Sequence, residues 1–254
     1  MAGGRIPRWL QKRALRRWDS ALEDARAVPL PNLRRLRRDA SDLRLRLDRV
    51  IHVIDGRLQL PVVGSKAMPK PPGTDWTHRP EPFRGPVRPF GVAAAESGTG
   101  VGGEVRLYHD CAISELTLRQ VRNLREEDLA PYGLRMDVFR FDGSFLSLVI
   151  DLPEEATHTL RRRHVMRVDV RTETEKPLEI FARLNLKHGP NTAQMVREID
   201  QTRPDQCAEF DLAYAKINEK RIERVWLDLI FEGPEMNQIM LRDVTLSRRP
   251  RAEM

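Results

Sequence analysis

Beyond residue 103 the chain is a series of short runs in which apolar and polar residues alternate, and this pattern limits its fold most strongly. In one run Val225, Leu227 and Leu229 alternate with Trp226 and Asp228. Because successive side chains of a strand point to opposite faces, such a run predicts a strand with one buried face. Nine runs have this length and are separated by turn residues: EVRLYHDC, ELTLRQV, GLRMDVFRFD, SFLSLVIDLP, HVMRVDVRTETE, LEIFARLNLKHG, AEFDLAYAKI, RIERVWLDLIFEGP and QIMLRDVTLSRR.

Eight or nine strands with few helices are typical of two packed sheets, and a jelly roll is a common arrangement of about eight strands. Residues 104–254 are therefore predicted to form a mainly β domain, a jelly-roll-like antiparallel β-sandwich. Only the polar stretch 119–130 is predicted to be helical in this part of the chain.

Residues 1–60 have a different character, because they hold 15 Lys and Arg against 7 Asp and Glu. Apolar residues fall on one side of a helix predicted over residues 6–25, and Asn32 is predicted to cap a second helix. The second helix has a heptad seam formed by Leu33, Leu36, Ala40, Leu43, Leu47, Val50 and Ile54. The segment is predicted to be a basic helical hairpin or a short coiled coil.

Residues 61–103 join these two parts and are rich in proline and then in glycine, as in PKPPGTDWTHRPEP and SGTGVGG. Proline favours extended backbone and prevents long helices, while glycine adds freedom. The stretch is predicted to be a linker, with Trp76, Phe83 and Phe90 as residues that could pin parts of it to a neighbouring surface.

Neither an export signal nor a membrane span is evident in the sequence, which predicts a cytoplasmic protein. The two cysteines, Cys111 and Cys207, are expected to be reduced. The chain after residue 60 holds 29 Lys and Arg against 30 Asp and Glu. With no stacking motif of RNA-binding sheets in this near-neutral part, the sequence argues against nucleic acid as a partner.

Signs of enzyme chemistry are few. His109 and Cys111 could share a strand face, but no third group completes a catalytic or metal site. Glu154 and Glu155 follow a strand end, where adjacent acids are usually solvated. The glycine run SGTGVGG lacks the lysine of a phosphate loop. We therefore expect a protein that is not an enzyme and has no cofactor or metal.

The polar sides of two strands offer a better candidate site. Sugar sites combine an aromatic plate with planar polar side chains. Such residues lie on the non-core sides of two predicted strands, Arg183 and Asn185 on the sixth and Trp226 and Asp228 on the eighth, and they would converge if the two strands lie in the same sheet. His188 and Asn191 would join them if the KHGPNT loop borders this face. The alternative is structural: Trp226 covers an apolar patch, Arg183 pairs with Asp228 across strands, and the loop is only a turn.

The basic helices suggest a second class of function. Arginine-rich amphipathic helices can lie on anionic lipid, and the residues that would do so are Arg8, Trp9, Lys12 and Arg16. In that case the protein would be peripheral to the inner face of the membrane. The other interpretation is a solvated basic face, with the heptad seam used in helix pairing.

Long motifs across the chain resemble those of the bacterial family known as domain of unknown function 6478. They are HDCAISELTLRQVRNLREEDLAPYGLRMDVFRFDGSFLSLVIDLP, EKPLEIFARLNLKHGPNTAQ and VWLDLIFEGPEMNQIMLRDVTLSRRPRAE. This resemblance implies no activity and no site residues. The last two strands are also similar in rhythm to the end of jelly-roll carbohydrate-binding modules, a likeness of architecture alone.

Taken together, these patterns favour a non-enzymatic binding protein that takes a glycan, or a glycan-processing partner, on the polar face of its sandwich. The alternative is a peripheral membrane or scaffold protein attached by its basic helices. A hydrolase or lyase built on the sandwich ranks third.

Overall fold

The computed structural model describes residues 8–58, 68, 70–125, 127–203 and 205–251. The chain divides into two compact units, Met1–Ile51 and His52–Met254. No helix within the described ranges is long and apolar enough to cross a membrane.

Two helices occur in the basic N-terminal part, as the sequence predicts: α1, Arg8–Asp24, and α2, Leu30–Leu58. The predicted first two residues of α1, at positions 6 and 7, lie outside the described residues. Asn32 is not the cap of α2, because the helix starts two residues earlier and includes Pro31. Proline is tolerated in the first turn, where its missing amide hydrogen would have no partner in the helix.

The apolar seam of α2 is not covered by α1 within the described residues, and the predicted short coiled coil stays a prediction. In the part of the chain that the structure describes, α1 and α2 do not pack side by side along their length. Leu33, Leu36 and Leu43 are half-buried, whereas the second half of the seam, with Leu47 and Val50, is exposed. The seam is therefore largely open to solvent within this chain.

The described residues after α2 form a β-sandwich of two antiparallel sheets. Its strands are β1 Trp76–His78, β2 Gly91–Val92, β3 Thr99–Val101, β4 Val105–His109, β5 Leu116–Arg122, β6 Tyr132–Val138, β7 Leu146–Asp151, β8 His164–Thr174, β9 Glu179–His188, β10 Asn191–Glu198, β11 Cys207–Asp211, β12 Ile222–Glu232 and β13 Asn237–Pro250. Short helices α3, Glu81–Arg84, and α4, Glu155–His158, lie between strands.

One sheet has the order β11-β8-β13-β6-β5-β2, with β1 added at the end of β13, and the other has the order β10-β9-β12-β7-β4-β3. We call the first the seven-stranded sheet and the second the six-stranded sheet. The arrangement confirms the predicted mainly β, jelly-roll-like sandwich with two N-terminal helices.

The core lies between the two sheets and consists of the alternate apolar residues of each strand. In β12, Val225, Leu227 and Leu229 are fully buried, and Val168 and Val170 of β8 in the other sheet belong to the same core. Burial of this apolar surface is the main driving force for folding. It also fixes which side of every strand faces outward.

The predicted linker is wrong from Trp76 onward, because this stretch belongs to the sandwich. It supplies β1, β2, β3 and α3, and Phe83 and Val87 are buried in the core. Residues 61–67 and 69 of the predicted linker lie outside the described residues. Proline prevented long elements here, but the apolar side chains between the prolines still pack.

Glu104 ties this stretch to the start of β4. One carboxylate oxygen accepts hydrogen bonds from the backbone amide of Glu81 at 2.8 Å and from His78 Nε2 at 3.1 Å, and the other accepts from Arg84 at 2.7 Å. Burial raises the pKa of Glu104, but these hydrogen bonds and the charges of His78 and Arg84 outweigh it, so the pKa lies below its ordinary value.

All nine predicted strands are present, but the sequence-based prediction omitted one long strand and added a helix that does not form. β10 was not predicted because it is an edge strand whose residues are mostly exposed and polar. The described residues of the stretch 119–130, which are 119–125 and 127–130, are not helical: β5 continues to Arg122, and non-helical residues follow. Its polar residues reflect the exposed face of β5 and a loop.

We expect Phe83→Ala to lower the free energy of unfolding by about 3–5 kcal/mol, because it opens a cavity in the core. Phe90→Ala is the matched control from the same stretch. Phe83 is 0% exposed and Phe90 is 40% exposed, so the control should cost about 1 kcal/mol or less. Urea unfolding of the full chain measures both, and equal small losses would mean that the stretch is a linker after all.

Glu104→Gln should lower the free energy of unfolding by about 1–3 kcal/mol at neutral pH, since it removes charge-assisted hydrogen bonds. Because the folded-state pKa of Glu104 is depressed, its contribution is present above the unfolded-state pKa and is lost as the pH falls through the folded-state pKa. The difference between wild type and variant should therefore shrink below about pH 4. A difference that does not change with pH would contradict this account.

Candidate functional site

The outer face of the six-stranded sheet brings together the four residues predicted to converge. β9 and β12 are adjacent, with Asn185 opposite Trp226 and Arg183 opposite Asp228. Since residues opposite one another share a face, all four lie on the side away from the core. We call this surface, with its neighbours on β7 and β10, the Trp226 face.

Asp228 is the central group of the Trp226 face. It is 3% exposed, and its Oδ2 accepts hydrogen bonds from Arg183 Nε at 2.7 Å and from Asn185 Nδ2 at 3.1 Å. Its Oδ1 is buried and has no hydrogen-bond partner among the described residues. A buried carboxylate oxygen without a donor is rare, so this atom is the most unusual polar group of the face.

Trp226 is half-buried, and the side chain of Arg224 stacks on its ring. The guanidinium carbon of Arg224 lies 4.8 Å from the ring centroid, which is within cation–π range. Arg224 also donates from Nε to Asp151 at 2.9 Å, and Asp151 lies on β7 directly opposite Trp226. The arginine therefore rests against the ring and is held there by a carboxylate of the next strand.

His188 and Asn191 do not join this group. His188 is two residues beyond the core residue Leu186 and so lies on the core side of β9, where its Nδ1 accepts from the amide of Asn218 at 3.4 Å. Asn191 pairs with His188 across the hairpin and shares that side. Gly189 has φ of 61°, so the loop is the tight turn between β9 and β10, as its composition predicts.

The exposed polar groups of the Trp226 face differ from those that the sequence singled out. Asn185 is fully buried and, like Asp228, supports other side chains. Gln194 on β10 is exposed and donates to Asn185 Oδ1 at 3.0 Å. Sequence reasoning missed Gln194 because β10 was not predicted. It missed Arg224 although the residue precedes Trp226 by two positions and therefore shares its face.

A cavity of about 410 Å³ lies on the outer face of the seven-stranded sheet. Its lining mixes guanidinium and carboxylate groups: Arg125, Arg167, Arg171, Arg242, Asp128, Asp169, Glu173 and Asp243. Burial raises the pKa of Glu173, but Arg242 and Arg125 outweigh it and hold the pKa below its ordinary value. Among the described residues no aromatic side chain lines this cavity.

The other candidate chemistry has structural explanations. His109 is buried, with Nε2 2.9 Å from the carbonyl of Ala95 and Nδ1 accepting from the amide of Cys111. Burial raises the pKa of the Cys111 thiol, which opposes formation of a thiolate. Glu154 and Glu155 are exposed at the start of α4. No group of three metal-ligating side chains occurs among the described residues.

Comparison with known proteins gives a family and a fold. The matching family model covers residues 2–254 and is described as a family of unknown function, DUF6478. No curated protein sequence matches the chain.

Solved structures with a similar fold are mainly carbohydrate-binding modules. The family 30 module has a TM-score of 0.40 and 10% identity, covering 72% of this chain and 92% of that chain. The family 11 module from Clostridium thermocellum was solved with a β-1,3-1,4-mixed-linked tetrasaccharide. It has a TM-score of 0.38 and 10% identity, and the match covers 65% of this chain and 98% of that chain. The enzymatically active domain of bacteriophage CBA120 tailspike protein 4 has a TM-score of 0.40 and 5% identity, and the match covers 56% of this chain but 19% of that chain. At these TM-scores the likeness carries no argument about what this chain binds.

We expect Asp228→Ala to lower the free energy of unfolding by about 2–4 kcal/mol, because it removes the carboxylate partner of Arg183 and one acceptor of the buried Asn185 amide, which keeps its hydrogen bond to the carbonyl of Arg183. Glu223→Ala is the matched control on the same strand. Glu223 pairs with Lys187 at 3.4 Å, and both side chains are about half exposed, so its loss should cost about 0.5 kcal/mol or less. Equal costs in urea unfolding would show that Asp228 does not organise the face.

Proposed function

We propose that this chain, which belongs to the family of unknown function DUF6478, is a non-enzymatic protein that binds neutral carbohydrate on the Trp226 face. The observation that carries the proposal is the combination on one strand pair of a half-buried tryptophan with planar polar side chains held by a buried carboxylate. A sugar ring presents C–H groups on one side and hydroxyls around its edge. An aromatic plate with planar hydrogen-bonding groups beside it matches both.

Each residue of the face has a separate part in this proposal. Trp226 supplies the plate for the C–H side of a sugar ring once the guanidinium of Arg224, which rests on the ring, moves aside. Arg183, which is half-buried, and Gln194, which is exposed, lie on the same face and hold their orientation through Asp228 and Asn185. Because those supports are buried, the donors lose little conformational freedom when a ligand binds.

Oδ1 of Asp228 adds an acceptor to the face. It is buried and has no donor among the described residues, although the guanidinium of Arg183 bonds to the other oxygen of the same carboxylate. A ligand hydroxyl that reaches Oδ1 would satisfy the unpartnered oxygen while Arg183 keeps its bond to Oδ2. Ligand binding would then replace an unfavourable buried acceptor with a hydrogen bond.

The charges of the Trp226 face favour a neutral ligand. Arg183 pairs with Asp228, Arg224 with Asp151 and Lys187 with Glu223. Since the cations have carboxylates within contact distance, the face offers no strong field to an acidic sugar. Binding should therefore depend weakly on salt.

The test is titration of the full chain with neutral hexose and pentose oligosaccharides by calorimetry, at low and high salt. Wild type should show saturable binding, and Trp226→Ala should weaken it at least roughly tenfold through loss of the stacking surface. Uronic-acid oligosaccharides form a second arm, in which no stronger binding is expected.

Tyr214→Ala is the matched control for loss of an aromatic residue. Tyr214 is exposed, and the guanidinium of Arg251 lies 5.7 Å from its ring, so this pair repeats the arrangement of Arg224 on Trp226 elsewhere in the domain. Its substitution should leave binding unchanged. Absence of binding across the panel, or equal losses in the two variants, would refute the proposal.

A further inference from the structure

The exposed large apolar residues of this protein are concentrated in its basic N-terminal helices. On α1, Leu10, Leu15 and Leu22 are 42%, 58% and 74% exposed. From this surface we propose that α1 lies on an anionic lipid bilayer, with its apolar face in the boundary between headgroups and acyl chains. The inference is independent of the carbohydrate proposal, which concerns the sandwich.

The apolar residues of α1 lie on one side. At about 100° per residue, Leu10, Ala14, Leu15, Trp18, Ala21 and Leu22 fall within one half of the helix circumference. Ser20 lies opposite, and Trp9 also faces the polar side. A helix with such a divided surface, many basic residues and low overall hydrophobicity is typical of those that lie in the plane of a membrane interface.

Charge identifies the partner. The first ten residues of α1, RWLQKRALRR, contain five basic and no acidic residues, and the acidic residues Asp19, Glu23 and Asp24 are confined to its other end. The leucines of this basic half, Leu10 and Leu15, therefore sit among cations. An anionic lipid surface complements both features, since phosphates pair with the arginines while the acyl region takes the leucines.

A second copy of the same helix fits this surface less well. It would bring ten basic residues from the two first halves into one assembly if the helices ran parallel, and like charges close together oppose association. Pairing through α2 would leave the apolar face of α1 uncovered. Self-association is therefore the competing outcome that the test must distinguish.

The test is co-sedimentation of the full chain with vesicles of neutral phosphatidylcholine, with and without about one-third phosphatidylserine. Binding should require the anionic lipid and should fall at least roughly tenfold between about 0.05 M and about 0.5 M salt. Leu15→Glu should lower the partition coefficient at least roughly tenfold, because it places a charge in the buried face.

Ser20→Glu is the matched control, since it introduces the same residue on the polar side of the same helix. It should lower the partition coefficient by roughly threefold or less, through charge alone. Circular dichroism shows that each variant keeps its helices, and light scattering gives its mass. No binding to anionic vesicles at low salt would overturn the proposal, as would equal losses in the two variants. A dimer that needs Leu15 and does not bind vesicles would assign the face to a second copy.

Discussion

The pairing of β9 with β12 is the constraint on which the rest of the candidate site depends. Side chains alternate along a strand, so a shift of one residue would send Trp226 and Asp228 into the core and Leu227 to the surface. The apolar residues Val225, Leu227 and Leu229 prevent this, because their burial is lost in any other register. The polar constellation is therefore a consequence of the core behind it. Register also places Asp151 of β7 opposite Trp226, and that position lets it hold Arg224 against the ring.

Alternation in sequence was sufficient to predict the long strands and insufficient for the short ones. In β8 and β9 many alternate positions are buried, so the period-two signal is strong and both strands are where it predicts them. β1, β2 and β3 have two or three residues each, too few for any period to be seen. Their position is set by distant contacts, such as those of Phe83 with the core and of Glu104 with the His78 to Arg84 stretch. The proline-rich composition of that stretch correctly indicates that long elements are absent, but it does not exclude packing of the side chains between the prolines.

For the candidate site, the sequence showed which residues share a strand face, but it did not show which of them are buried. The sequence correctly predicted that Arg183, Asn185, Trp226 and Asp228 share a face, because that follows from counting by two. It could not show that Asn185 and Asp228 are covered, since this depends on neighbours from β9 and β10. The error over His188 was avoidable, because the residue continues the series of Leu184 and Leu186 and so belongs to the core side. The residues of a hairpin turn can lie on either face of the sheet. A loop that is close in sequence to the Trp226 face therefore need not place its side chains on that face.

The net charge of +7 is a sum over the whole chain and does not give the local charge of either proposed surface. In the sandwich, cations are matched by carboxylates on the same or neighbouring strands, as in Arg79 with Asp243 and Arg167 with Asp169. Such pairs contribute little field at a distance, so the ligand proposed for this domain would be recognised by shape and hydrogen bonds. In the first half of α1 the basic residues have no acidic residues among them, so long-range attraction would govern the proposed contact of this helix with an anionic surface. Under the two proposals, salt would weaken the attraction of α1 to an anionic surface and leave recognition of a neutral ligand by the sandwich nearly unchanged. The chain would then hold its neutral ligand under conditions that release it from the anionic surface.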